Sequence, residues 1–242
     1  MTDMPLQYIA NRLTLWARGE LASSKAPAVI FVPEKYAGWA SDPGSGVLGE
    51  GTLVLVRSKK GKLDRAGRTG TWIGYRGDLD EPGDEVQVGP DLWVQTIDYA
   101  ATKYLSVAGP TVIRFPDADD AHAFAKDVTT VRSRGQFNPA LLHPAVEIGD
   151  RCLLMDSPCT RLGQLTRLYV DSDGVVRTAP RGLPLGSVGD RLDTLAACGQ
   201  RYAAAGLDPC APEEISTLVR SVPLADRLMY LNSVDAIRTM QM

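Results

Sequence analysis

The chain of 242 residues is 44% hydrophobic and 23% charged, with a formal net charge of −3. That is the balance of an ordinary globular protein, long enough to bury a core in one large domain or two small ones. The negative charge argues against a protein built to coat nucleic acid. No apolar run approaches the ~20 residues of a membrane helix, and the first residues lack a basic-then-apolar signal pattern. The expected setting is cytoplasmic, with neither nucleic acid nor membrane as a partner.

Taken in order, residues 5–18 place Leu6, Ile9, Leu13 and Trp16 near a 3.6-residue period, as in an amphipathic helix, while the β-forming Leu13–Trp16 leaves that assignment open. Ala28–Val32 is an apolar run between prolines and reads as a buried strand. Glu34–Trp39 reads as one or two helical turns. Gly44-Ser-Gly-Val-Leu-Gly49 spells the GxGxxG of dinucleotide-binding loops. That chemistry needs a strand before the glycines and a helix after them, so that helix amides meet the pyrophosphate. Here turn-forming Ser41-Asp-Pro43 precedes and strand-like Leu53–Val56 follows, so no cofactor is expected. The basic run Arg57–Arg68, with Lys59, Lys60, Lys62 and Arg65, has no interleaved aromatics and reads as a solvated loop.

Thr71–Tyr75 and Leu92–Ile97 read as strands separated by a turn at Asp80–Asp84. Tyr99–Leu105 reads as a short helix and Thr111–Phe115 as a strand. Pro116 with Asp117, Asp119 and Asp120 marks a helix start. That helix should run through Phe124, Val128 and Val131 to Gly135, with His122 on its surface. The proline-punctuated connector 136–144 divides a mixed β/α lobe, 1–137, from a second lobe, 138–242.

The second lobe centres on a hairpin. Leu168, Tyr169 and Val170 lead into Asp171-Ser-Asp-Gly174, and Val175, Val176 and Arg177 lead out. Cys152–Met155 is an apolar run that should pair with these strands. Three helices follow: one from near Asp190 with Leu192, Leu195, Ala196 and Tyr202, one at Pro212, and one from Pro223. On the last, Leu224, Leu228, Leu231, Val234 and Ile237 form an apolar stripe. The expected fold class is α+β, a mixed β/α N-terminal lobe followed by a hairpin-plus-helices C-terminal lobe.

No catalytic residue is assigned, because no motif has the spacing its chemistry needs. There is no Gly-x-Ser-x-Gly, and His143 stands before a proline in a loop. Asp171-Ser-Asp-Gly174 lacks the downstream Glu that closes a calcium loop. Cys152 and Cys159 have six residues between them, and Cys198 and Cys210 have eleven. Structural zinc draws cysteines only about two to four residues apart. The four read as reduced thiols, and neither metal nor cofactor is expected.

Leu168–Arg177, then Pro184-Leu-Gly-Ser-Val-Gly-Asp190 and a helix, resembles the auxiliary-cluster (SPASM-type) domain of radical enzymes that modify ribosomal peptides. Where that family has a cysteine ligand, this chain has Ala179 between Thr178 and Pro180. The N-terminal half also lacks the Cys-x-x-x-Cys-x-x-Cys that binds S-adenosylmethionine. The resemblance therefore implies a SPASM-like scaffold without its cluster, a binding module. Through Val86–Trp93, Gln95–Tyr99, Gly109–Arg114 and the hairpin, the chain also resembles the recognition proteins of daptide-type ribosomal peptide (RiPP) biosynthesis. That implies a non-catalytic accessory protein. It would bind the leader of a precursor peptide and present the peptide to a tailoring enzyme such as a dehydrogenase-like oxidative decarboxylase. Leaders are captured by adding a strand to a sheet edge or by seating a helix in a groove. The candidate peptide-binding residues are Tyr169, Val170, Val175, Arg177, Leu228 and Leu231. Two other readings stand beside this one: a nucleotide-dependent enzyme using Gly44–Gly49, and a metal-binding regulator built on the cysteines.

Overall fold

The computed structural model describes residues 11–12, 14–15, 26–58, 70–76, 85–87, 93–104, 111–149, 151–156, 160–161 and 164–240. In chain order the strands are β1 (Val29–Pro33), β2 (Leu53–Arg57), β3 (Thr71–Tyr75), β4 (Glu85–Gln87), β5 (Trp93–Asp98), β6 (Thr111–Arg114) and β7 (Val146–Ile148). Then come β8 (Thr160–Arg161), β9 (Gln164–Leu165), β10 (Arg167–Val170), β11 (Val175–Arg177) and β12 (Gly186–Ser187). The helices are α1 (Ala37–Ser41), α2 (Ala118–Arg134), α3 (Arg151–Leu154), α4 (Leu192–Ala204), α5 (Glu213–Arg220) and α6 (Leu224–Met240). The fold class is α+β, as the sequence indicates. The turn at Asp80–Asp84, the basic run from Lys59 onward and most of the 5–18 helix lie outside the described residues, although Asn11, Arg12, Thr14 and Leu15 are helical.

Strand β1 is buried at every position because both of its faces are covered. Val29 and Phe31 point into one core, and Ile30 and Val32 into another. It pairs in parallel with β2 on one side and β10 on the other; β3 follows β2, also parallel. The antiparallel β11 and β12 complete the order β12-β11-β10-β1-β2-β3. The second sheet, β4-β5-β6-β7, is parallel except for β4. The sheets face each other through Phe31, Leu55, Tyr75 and Tyr169 on one side and Val94 and Val112 on the other. Trp39 and Ala40 of α1 and Leu195 and Ala196 of α4 cover the outer face of the six-strand sheet. Helices α2, α5 and α6 cover the outer face of the four-strand sheet, with Phe124, Val128, Ile215, Val219, Tyr230 and Val234 against Ile97, Ile113 and Ile148. The layers run helix, sheet, sheet, helix. Both sheets draw strands from either side of residue 137, since β10 pairs with β1 and β7 with β6.

Local chemistry explains the ends of α2. The Asp117 carboxylate accepts from the Asp119 and Asp120 amides, and Asp120 Oδ2 accepts from the Asp117 amide, a reciprocal capping box. Gly135, at φ 65°, closes the helix in the left-handed conformation.

Three expectations are corrected. Cys152–Met155 pairs with no hairpin strand: residues 151–154 form the helical turn α3. The buried Arg227 guanidinium donates to the Leu153 and Leu154 carbonyls, satisfying groups that a sheet ladder would otherwise have used. On α6 the buried line is Arg227, Tyr230, Leu231, Val234 and Arg238, with Leu224 40% exposed. The arginines lie inward because backbone carbonyls receive them: Val222 and Leu154 accept from Arg227, and Leu141 accepts from Arg238. Finally, Cys210 is disulfide-bonded rather than reduced. Among the described residues Cys198 is a free thiol.

Candidate functional site

Because β2 and β10 flank β1 on opposite sides, the chain direction switches between β1 and β10. In open α/β sheets, ligands favour the carboxyl ends of the strands at such a point. Here that rim carries Glu34 and Tyr36 after β1, Ser58 after β2, and Asp171–Gly174 after β10. Ser58 Oγ donates to Glu34 Oε2 at 2.8 Å. The Lys35 ammonium sits 4.7 Å from the Tyr36 ring centre. Gly174, at φ 84°, lies under that ring, and a Cβ there would come within 3.0 Å of the Tyr36 hydroxyl. The hairpin turn is held by Asp171 Oδ1, which accepts from the Asp173 and Val175 amides at 2.9 Å each. Glycine at 174 thus serves both the turn and the close approach of Tyr36.

The sequence-derived residues do not assemble into one surface. Tyr169 and Val170 are each 2% exposed, one in each core of the six-strand sheet. Leu231 is also 2% exposed, in the core under α6. Val175, Arg177 and Leu228 are half-buried. Arg177 is committed to the hairpin, with Nε 3.4 Å from Asp171 Oδ2 and Nη1 donating to the Gly182 carbonyl at 2.7 Å. Sequence alternation found the hairpin, but β10 is central to a two-sided sheet, so neither of its faces meets solvent.

The ends of the six-strand sheet differ. At β12 the Ser187 amide donates to Asp190 Oδ2 at 2.8 Å, which closes that edge with a carboxylate. At the other end, among the described residues, stands β3. The Thr71 amide donates to the Thr52 carbonyl, and the Tyr75 carbonyl accepts from the Ser58 amide, so the odd positions of β3 turn their backbone groups toward β2. The alternation of a parallel ladder then directs the amides and carbonyls of Trp72 and Gly74 outward. Trp72 is buried, Gly74 and Ile73 half-buried, and Arg76 exposed just past the strand. A sequence gives no signal for this edge, because the order of strands decides it.

The Gly44–Gly49 loop opens onto the amino end of β2, opposite the carboxyl rim. Its Gly44 amide donates to Asp42 Oδ1 at 2.9 Å, so a carboxylate already sits where a phosphate would have to bind. His122 and His143 are exposed, and His143 Nδ1 accepts from the Ala145 amide. Among the described residues, no group of three or more His, Cys, Asp or Glu could hold a metal ion. No described helix is long and apolar enough to cross a membrane.

The most perturbed groups flank the four-strand sheet. Burial pushes the Asp120 carboxyl up to about 7; the Ala100 amide, which donates to it, opposes this, and the Asp117 and Asp98 charges add to it. Burial also raises Tyr99, whose hydroxyl lies 2.7 Å from that of Tyr230 and donates to Asp127 Oδ2 at 3.0 Å. These groups knit β5, α2 and α6 together inside the core.

No protein-family model, curated protein or solved structure matches this chain.

Proposed function

We propose that the protein is a recognition subunit of ribosomal peptide biosynthesis. It binds the leader of a precursor peptide and presents the peptide to a tailoring enzyme, such as a dehydrogenase-like oxidative decarboxylase. The leader adds as a strand beside β3. The observation that carries this reading is the outward set of backbone groups at Trp72 and Gly74, on a sheet whose opposite end is closed by Asp190. Strand addition draws its affinity from main-chain hydrogen bonds and needs no acid–base machinery. Half-buried Ile73 offers apolar contact beside that edge.

The test is fluorescence anisotropy with a labelled leader from a short precursor encoded beside this gene, with a scrambled peptide as control. The full chain should bind the leader and not the scramble. Gly74→Pro removes an outward amide without touching the ladder to β2, and should weaken binding at least about tenfold, the equivalent of one lost hydrogen bond. Absence of leader binding, with and without the tailoring enzyme, removes the recognition reading. Binding that Gly74→Pro leaves unchanged in a folded protein moves the site away from β3.

A further inference from the structure

We draw no further inference here: the strongest candidate, the exposed outer face of α4 lined by Asp193, Thr194, Ala197, Gln200, Arg201 and Ala204, is a helix face with no partner among the described residues, and nothing in the structure shows what covers it.

Discussion

Asp120 shows how one residue can answer both a local and a global demand. Locally it is the third residue of the α2 capping box, a position that the acids at 117–120 mark in the sequence. Globally its Oδ1 accepts from the Ala100 amide and the side chain is 1% exposed, so burial lifts its carboxyl to about 7. Raised above its unfolded value, the group favours the folded state most fully below about pH 4, and that contribution is lost as pH rises from about 4 through about 7. Thermal unfolding followed across pH 4 to 8 should therefore show a declining component in this window. In Asp120→Asn that component should disappear; a slope that survives the substitution would assign it to other groups. The cap was legible because it is chemistry within four residues. The shift was not, because it comes from burial by distant parts of the chain, against which the Ala100 amide of the 99–104 helical turn acts.

At the level of elements, α6 is held by its arginines as much as by its apolar side. Arg227 joins three carbonyls to a carboxylate: Nε donates to Val222, Nη1 to Leu153 and Leu154, and Nη2 to Asp156 Oδ2 at 2.8 Å. It ties the start of α6 to the end of α3, where Asp156 takes φ 49°. Arg227→Met should lower stability by about 1–3 kcal/mol, the range for leaving buried acceptors unsatisfied, as measured by chemical denaturation. The Arg227 hydrogen bonds hold the Asp156 carboxyl below its usual value. That contribution is present above the unfolded value and disappears as pH falls through the folded one, so the variant's deficit should shrink in acid. An equal deficit at pH 7 and pH 2 would show that packing, rather than the ion pair, carries the effect. Reading Cys152–Met155 as a strand failed for a related reason: a four-residue apolar run looks alike in strand and helix, and the arginine that settles it lies more than seventy residues away.

For the molecule as a whole, the decisive event is the docking of β10 beside β1, which Val29↔Arg167 through Phe31↔Tyr169 record. It completes four parallel strands, creates the switch point between β1 and β10, and leaves β3 at one end of the sheet. Segments 1–137 and 138–242 made separately should each lack a strand neighbour that the other supplies, and should show poorly dispersed amide spectra that sharpen only on mixing. A well-dispersed spectrum from 138–242 alone would mean that the hairpin and helices fold without β1. The sequence by itself determined the α+β class, most strand and helix positions, and the hairpin with its Asp–Gly turn. Those depend on periodicity, caps and turn residues, which act within a few residues of chain. Only the tertiary structure decided that Tyr169, Val170 and Leu231 are interior, that Trp72 and Gly74 turn their backbone groups away from β2, and that Cys210 is bonded beside a buried guanidinium. Each of those depends on which distant segments become neighbours, a choice made by burying both faces of both sheets at once.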